Sequence, residues 1–293
     1  ILEIVDFLNA RARENQWGFV DFNRPMVAIN QWEQAEDSMY TLCGKDRIHP
    51  STDGHLVMAY LFLKAQGLAG KPVADIRIDG AGKKVTRSDN CRVSDLSVSS
   101  DNLTFTYEAK SLPYPIDTSY YDNEKHTQAD ALSVIPFMDE MNYEGLSVSG
   151  LSDGYYGLTI GGEFIGRFTA RELERGINMA LLQNTPQYKQ AMKIRQMNEE
   201  RWLKERKMRE FYWVEYNLMR KTGMLWACNE AAVDTLRKYR PHDIFLQWNG
   251  DLWLQYMHKG IREDCVNEQQ DLVNQIYEQN KPIPLRIEIK KFT

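Results

Sequence analysis

Residues 45–55 read Lys45-Asp46-Arg47-Ile48-His49-Pro50-Ser51-Thr52-Asp53-Gly54-His55, and an apolar run over 56–68 follows directly. An aspartate and a histidine therefore stand three residues apart, just before a segment that favours a helix. Pro50 stiffens the exit from the loop, and Ser51 or Thr52 can cap the following helix. The stretch predicts a rigid turn that holds Asp46 and His49 side by side at the start of a helix.

This pairing of side chains is typical of general-base chemistry. A histidine can accept a proton near neutral pH because its unperturbed pKa is about 6.5. It works best when a carboxylate holds one ring nitrogen, so that the other nitrogen faces a nucleophile. Asp46 can serve His49 in this way without any contribution from distant chain. The alternative is an ion pair within the loop that has no catalytic role. The three-residue spacing alone does not distinguish this alternative from a general base.

Length and composition indicate a globular protein. Of the 293 residues, 43% are hydrophobic and 26% are charged, which excludes an intrinsically disordered chain. The net charge of -5 argues against nucleic acid as the main partner. No apolar run approaches the roughly 18 residues that span a bilayer, so no membrane span is expected.

The cysteines and histidines give no sign of a metal or redox centre. The four cysteines include no C-x-x-C pair, and the five histidines include no H-x-H or H-E-x-x-H motif. Free cysteines are favoured, while disulfides stay open for an exported protein. We therefore expect neither a metal nor a cofactor.

The first 72 residues predict part of an α/β sheet domain. Apolar positions at helical spacing predict a helix over 1–14, and the largely apolar residues 17–22 predict a buried strand. Residues 23–45 form a long connection, which in a compact domain is often functional. The chain opens on a sequence typical of the interior of a helix and without methionine, so we expect residue 1 to lie inside a longer protein.

The remaining sequence changes character twice. Residues 73–168 alternate apolar and polar side chains between turn dipeptides, which predicts an antiparallel β insertion forming a second, small domain. A T-x-x-E capping box at 169–172 and a Thr-Pro start signal at 185–186 then predict helices, one of them running to about residue 220. Residues 169–293 are thus expected to form a helical C-terminal region that ends in a short strand at 284–289.

The Asp-x-x-His stretch resembles a known family. The run Asp46-Arg47-Ile48-His49-Pro50, with Gly54-His55 and the apolar helix after it, is similar to the last sequence block of the SGNH (GDSL-type) esterases. Weaker similarity to a bacterial subgroup extends from 145–151 through 176–178 and to Tyr239-Arg240-Pro241. The resemblance implies an α/β, three-layer, flavodoxin-like core. It also implies a Ser-His-Asp triad in which His49 is the general base and Asp46 orients it.

The triad's nucleophile has no counterpart here. In the family a Gly-Asp-Ser block near the N-terminus carries it, and two later blocks carry the oxyanion-hole glycine and asparagine; none precedes Asp46 in this chain. The resemblance therefore implies that the core is incomplete and that a missing N-terminal part of the same protein completes it. Because loss of the nucleophile costs a serine hydrolase on the order of 10⁶ in turnover, the chain alone is expected to be inactive.

One serine inside the chain matches a nucleophile motif. The run Gly150-Leu151-Ser152-Asp153-Gly154 has the form G-x-S-x-G, which requires a strand before the serine and a helix after it. Here a strand-like segment follows, and Asp-Gly is a hairpin signal. Ser152 is therefore interpreted as a turn residue.

The remaining histidines and the tryptophans of the helical region are not assigned to the site. For His55, in the first turn of the helix after the motif, packing or solvent exposure is favoured over a place at the edge of the site. The histidines are His55, His126, His242 and His258. The tryptophans of the helical region could form a platform on which sugars stack, but their helical positions favour packing; they are Trp202, Trp213, Trp226, Trp248 and Trp253.

Together these features predict a secreted or periplasmic serine esterase. Its expected substrate is a small acyl ester, with an acetylated carbohydrate favoured by family analogy. The rival hypothesis is a non-catalytic module in which the β insertion and the tryptophan-rich helices bind glycan or another protein.

Overall fold

The computed structural model describes residues 1–119 and 126–292. The chain divides into two compact units. The larger comprises residues 1–189 and 282–293, and the smaller comprises residues 190–281. The smaller unit is helical, and the larger one contains all the strands of the described chain.

Three helices precede the first strand: α1 (Leu2–Asn15), α2 (Asn23–Glu33) and α3 (Thr52–Ala65). Two sequence predictions fail in this region. Residues 17–22 are irregular and exposed or half-buried instead of forming a buried strand, and the expected connection 23–45 contains α2. A short apolar segment becomes a strand only beside a hydrogen-bonding neighbour, and no described strand pairs with 17–22. The flavodoxin-like sheet stays a prediction.

The β region forms two sheets. Their strands are β1 (Ala74–Asp79), β2 (Lys84–Asp89), β3 (Cys91–Val98), β4 (Asn102–Ala109), β5 (Glu144–Ser149), β6 (Tyr155–Ile160), β7 (Glu163–Thr169), β8 (Ile177–Asn178) and β9 (Leu285–Lys291). The first sheet has the order β2-β1-β5-β8, and the second has the order β3-β4-β9-β6-β7. The second is antiparallel throughout, as expected, whereas β1 and β5 of the first are parallel.

Strand β9 changes the expected domain boundaries. Sequence analysis assigned it to the helical region 169–293, but it lies in the middle of the second sheet, between β4 and β6. Ile289 is in register with Leu103 on one side and with Leu158 on the other. The sequence of a strand indicates that it will pair but not which strand it will pair with. A domain boundary at 168/169 drawn from sequence therefore missed that β9 pairs with strands of the β region.

Alternation of side chains builds the core between the sheets. Along β4, Leu103, Phe105 and Tyr107 are buried while the residues between them are partly exposed. The same period of two places Ile287 and Ile289 of β9 in the core. Buried residues of both sheets form one hydrophobic cluster, so the larger unit is organised around a β sandwich.

Short helical segments connect the strands. They are a 3₁₀ turn (Gln128–Ser133), α4 (Phe137–Glu140), α5 (Ala170–Arg175) and a second 3₁₀ turn (Met179–Leu181). The predicted capping box of α5 is confirmed. The Thr169 hydroxyl oxygen accepts from the Glu172 backbone N–H at 3.1 Å, and the Glu172 carboxylate accepts from the Thr169 N–H at 2.7 Å.

The smaller unit is built from long helices: α6 (Pro186–Val214), a π-helical turn (Glu215–Met219), α7 (Glu230–Tyr239), α8 (Ile244–Tyr256) and α9 (Lys259–Gln279). The predicted helix from 185–186 to about 220 is confirmed. Trp253 is fully buried in the core of this unit, whereas Trp202, Trp226 and Trp248 are exposed. In the described chain, no helix is both long and apolar enough to cross a membrane.

Glu144, at the start of β5, is a carboxyl group buried in the larger unit. Its side chain is fully buried and accepts hydrogen bonds from the Tyr107 hydroxyl at 2.8 Å and from Gln187 Nε2 at 3.2 Å. Burial disfavours the charged form more than these hydrogen bonds favour it, so the pKa of Glu144 rises to about 7. The stability of this unit therefore depends on the protonation of one residue.

We expect Glu144 to destabilise the fold progressively as the pH rises from about 4.5 to about 7. Below this range the carboxyl is neutral in both states; within it, only the unfolded chain releases the proton, which favours unfolding. Glu144→Gln should remove on the order of 3 kcal/mol of this pH-dependent loss. The measurement is the free energy of unfolding in urea at pH 4.5 and pH 8.

The matched control is Glu174→Gln, which removes an exposed carboxylate of α5. It should keep the pH dependence of the wild type. If Glu144→Gln also keeps that dependence, Glu144 is not the group responsible.

Candidate active site

Backbone hydrogen bonds close the loop that carries Asp46 and His49. The Gly44 N–H donates to the His49 carbonyl at 2.7 Å, and the Ser51 N–H donates to the Leu42 carbonyl at 3.0 Å. Cys43 and Pro50 form an isolated antiparallel bridge between these bonds. The loop is thus a narrow closed turn. Its base is fixed by Leu42, which is completely buried.

At the tip of this turn the structure brings Asp46 and His49 together. Asp46 Oδ2 lies 2.5 Å from His49 Nδ1. The other carboxylate oxygen accepts the backbone N–H groups of Ile48 at 2.9 Å and His49 at 3.1 Å. Arg47 adopts a positive φ of 55° between them, which lets the chain reverse within so few residues. Asp46 is therefore fixed by the backbone and holds the ring of His49.

The hydrogen bonds of Asp46 determine its charge. The His49 ring contributes most, followed by the N–H groups of Ile48 and His49, and together they lower the pKa of Asp46 to about 2. The carboxylate is consequently ionised at any pH near neutrality. An ionised partner on Nδ1 stabilises the imidazolium that forms when Nε2 accepts a proton.

His49 is presented outward. Its side chain is 84% exposed, while that of Asp46 is 47% exposed. Because Nδ1 is occupied by Asp46, Nε2 is the nitrogen left for a reacting group. Within residues 1–119 and 126–292, Asp46 is the side chain that bonds to the His49 ring, so the described residues supply no hydroxyl for it to activate.

Gly54 in the first turn of α3 holds the turn against the helix. A Cβ at this position would lie 2.0 Å from the Leu42 carbonyl oxygen and 3.3 Å from Pro50 Cβ. The backbone can approach this closely only without a side chain. The glycine of the sequence motif therefore sets the distance between the Asp46–His49 turn and α3.

A second aspartate–histidine contact involves the first turn of α3, the helix that follows this turn. Asp53 is buried, accepts hydrogen bonds from the Ser51 hydroxyl and the Gly54 N–H, and lies 3.7 Å from His126 Nδ1. His126 also packs edge-on against Tyr40, with ring centroids 5.8 Å apart. Burial, with Asp53 next in effect, raises the pKa of Tyr40 to about 12. Asp53 therefore links Ser51, at the exit of the turn, to the first turn of α3.

Sequence analysis assigned no role to Asp53 or His126. Asp53 belongs to the stretch quoted first, and its signal was an acidic residue in the first turn of an otherwise apolar helix. His126 is 73 positions away in sequence, and nothing local connects it to α3. Only the folded chain brings the two together.

The other candidates lie elsewhere. Ser152 falls between β5 and β6, which confirms that G-x-S-x-G is not a strand-to-helix elbow here. Its hydroxyl contacts Lys291 Nζ at 2.7 Å and the Tyr156 hydroxyl at 3.1 Å. His55 is exposed on α3, and His258 contacts Cys228 at 3.3 Å. In the described parts of the chain, no three His, Cys, Asp or Glu side chains are grouped as metal ligands.

The N-terminal helices leave many large apolar side chains in solvent. In α1 only Ala12 is buried, and α2 buries no residue. We call the exposed apolar side chains of residues 1–48 the N-terminal apolar set: Ile1, Leu2, Ile4, Phe7, Leu8, Trp17, Val27, Trp32, Met39 and Ile48. Its last member, Ile48, is adjacent to His49 in sequence and is 75% exposed.

Comparisons with known proteins give two findings. Residues 192–281, which coincide closely with the smaller unit, match a family model described as the diltiazem deacetylase C-terminal helical domain. The chain is also similar to a solved structure described as a gut microbial diltiazem-metabolizing enzyme, with 41% sequence identity and a TM-score of 0.92. That similarity covers 99% of this chain but 66% of the relative, so the chain spans just under two thirds of the relative's length. No curated protein matches the chain.

We expect Gly54→Ala to destabilise the larger unit by about 1–3 kcal/mol. Alanine normally favours a helix over glycine by about 1 kcal/mol, so a loss of stability would report the clash with the Leu42 carbonyl directly. Gly18→Ala is the control, because a Cβ there meets nothing within 4 Å. Urea denaturation of both variants measures the effect, and a Gly54→Ala variant as stable as Gly18→Ala would contradict it.

We expect the carboxyl carbon of Asp46 to titrate with a midpoint near pH 2 in NMR spectra. His49→Ala removes the largest cause of the lowered pKa and should move the midpoint toward the ordinary value of 3.8. The stability that the ionised carboxylate provides should likewise be lost only as the pH falls below about 4 toward 2. A wild-type midpoint at the ordinary value would show that Asp46 and His49 are not paired in solution.

Proposed function

We propose that this chain belongs to a diltiazem deacetylase-like family of esterases and forms part of an ester hydrolase in which His49 is the general base. The observation that carries the proposal is the Asp46–His49 pair, with Nδ1 held by an ionised carboxylate and Nε2 presented outward. Supporting it are the helical-domain match and the similarity to a diltiazem-metabolizing enzyme.

In this proposal the nucleophile is a serine outside the described residues, as in the SGNH hydrolases that residues 45–68 resemble. The serine would lie on a segment that packs on the N-terminal apolar set. Two arguments support such a segment. The similar structure is about half as long again as this chain, and α1 and α2 expose apolar faces that a folded protein normally covers.

The reaction follows from the two nitrogens of His49. Nε2 takes the proton from the serine hydroxyl as the serine oxygen bonds to the acyl carbon, and it then gives this proton to the departing alcohol oxygen. In the second half, Nε2 takes a proton from water as the water oxygen attacks the acyl carbon. The carboxylic acid leaves, and the serine regains its proton. Asp46 keeps the ring in one tautomer and stabilises its charged form throughout.

We propose a small acyl ester as the substrate, with acetyl as the acyl group. The words deacetylase and diltiazem-metabolizing in the descriptions of the two matches support this class. An acetylated carbohydrate and a secreted or periplasmic location rest on the SGNH resemblance alone and stay predictions.

The test compares His49→Ala and Asp46→Asn in the full-length protein, with p-nitrophenyl acetate as substrate. We expect kcat to fall about 10⁶-fold for His49→Ala and about 10⁴-fold for Asp46→Asn. The control is His55→Ala, an exposed histidine at the start of α3, which should retain wild-type turnover. Residues 1–293 on their own should be as inactive as the His49→Ala variant.

A full-length His49→Ala variant with wild-type turnover would remove His49 from the mechanism. A full-length wild type that hydrolyses no ester would favour the rival hypothesis, a non-catalytic module that binds glycan or protein.

A further inference from the structure

The smaller unit contains a cavity of its own. It has a volume of about 350 Å³, which is at the lower end of the range for small-molecule sites. Its walls come from the end of α6, the π-helical turn, the end of α7 and the start of α8. All of its lining residues lie within 190–281, so the cavity is independent of the Asp46–His49 turn.

The π-helical turn shapes one wall. Here the Arg220 N–H donates to the Glu215 carbonyl five residues back, at 2.8 Å. The buried Glu215 carboxylate fixes this turn by accepting from Trp253 Nε1 and from the Trp226 backbone N–H, both at 2.8 Å. A π turn is costly and occurs often at functional sites. Asn217 of this turn and Lys221, which follows it in sequence, both line the cavity.

Aromatic rings form the apolar side of the cavity. Trp213 and Tyr239 line it directly. The Phe245 ring lies 5.2 Å from the Trp213 ring at an angle of 36°, and the Trp248 ring lies 5.4 Å from the Phe245 ring. The Trp213 indole is therefore held in place by a second ring, as is needed for a surface on which a flat apolar face can stack.

The polar groups of the cavity carry both signs of charge. Lys221 contributes a cation that forms no ion pair in the part of the chain that the structure describes. Asp243 contributes an anion, of which Oδ1 caps α8 by accepting from two N–H groups. Asn217 donates its Nδ2 to the Trp213 carbonyl at 3.0 Å, which leaves its side-chain oxygen as an acceptor. His242 and Tyr239 add groups that both donate and accept.

This combination selects against singly charged ligands. An anion would face Asp243, and a cation would face Lys221. A neutral ring with several hydroxyls avoids both the repulsion of an anion by Asp243 and the repulsion of a cation by Lys221. Its hydroxyls can donate to Asp243 or Asn217 and accept from Lys221. A pyranose also has a flat C–H face that fits against an indole ring.

We propose that the helical unit binds a neutral pyranose sugar in this cavity, stacked on Trp213 and hydrogen-bonded by Asn217, Lys221 and Asp243. The small volume limits the site to about one ring. This proposal does not depend on the proposed esterase activity, because no residue of the Asp46–His49 turn takes part.

The test is saturation-transfer NMR on the whole chain. The neutral probes are the methyl pyranosides of glucose, galactose and mannose, and the charged probes are methyl glucuronide and glucosamine. We expect saturation transfer to at least one neutral glycoside, and weaker or no transfer to the charged sugars. For the neutral glycoside that binds, titration should give a Kd that rises about tenfold in Asn217→Ala and in Lys221→Met, since each loses one hydrogen bond.

The matched control is Lys207→Met, an exposed lysine of α6 that does not line the cavity; it should bind as the wild type does. Circular dichroism melting verifies that each variant is folded. The proposal is overturned if no neutral glycoside receives saturation, if a charged sugar binds more tightly than the neutral ones, or if folded Asn217→Ala and Lys221→Met both keep wild-type affinity.

Discussion

The close contact between the Leu42 carbonyl and Gly54 is the constraint on which the candidate site depends. Leu42 is completely buried, and its carbonyl also accepts the Ser51 N–H, so one peptide group ties both ends of the turn to α3. The aspartate–histidine distance then follows from a turn with almost no freedom. At the exit of the turn, the buried Asp53 accepts a hydrogen bond from the Ser51 hydroxyl and lies 3.7 Å from His126 Nδ1. Such a site is defined by the backbone more than by its side chains, which is why a short sequence motif can specify it.

A different long-range constraint governs the β sandwich. The middle strand of the second sheet, β9, is formed by residues close to the end of the chain, after the whole helical unit. Until it is in place, β4 and β6 expose the hydrogen-bonding groups that it pairs, and Ile287 and Ile289 are missing from the core. Pairing between segments so far apart in sequence slows folding, because the loop between them must close before the paired strands stabilise each other. The β sandwich therefore depends on β9, although the helical unit separates this strand from the others in sequence.

These two constraints explain what could be predicted from sequence. Local signals were sufficient for the turn at 45–55, for the capping box at Thr169 and for the long helix that starts at 185–186, because each is specified by residues a few positions apart. The pairing of β9, the parallel contact of β1 with β5 and the approach of His126 to Asp53 depend on residues far apart in sequence. The incorrect prediction of a strand at 17–22 has the same cause, dependence on a distant partner. The segment is largely apolar, but the described chain contains no strand that pairs with it. The burial of Glu144 also depends on residues far apart in sequence, and nothing near a polar residue in the sequence indicates that it will be buried.

Under the proposed function, the exposure of His49 and the exposure of the N-terminal apolar set have one physical explanation. In a serine hydrolase the carboxylate beside the histidine acts in a site from which water is largely excluded, because water weakens its interaction with the imidazolium. Here Asp46 and His49 are hydrogen-bonded to each other but face solvent, and ten large apolar side chains of the same region are also in contact with water. A segment that covered those side chains would remove water from the pair at the same time. Under the proposed function, docking of the nucleophile-bearing segment therefore supplies both the missing hydroxyl and the low dielectric that the existing pair requires.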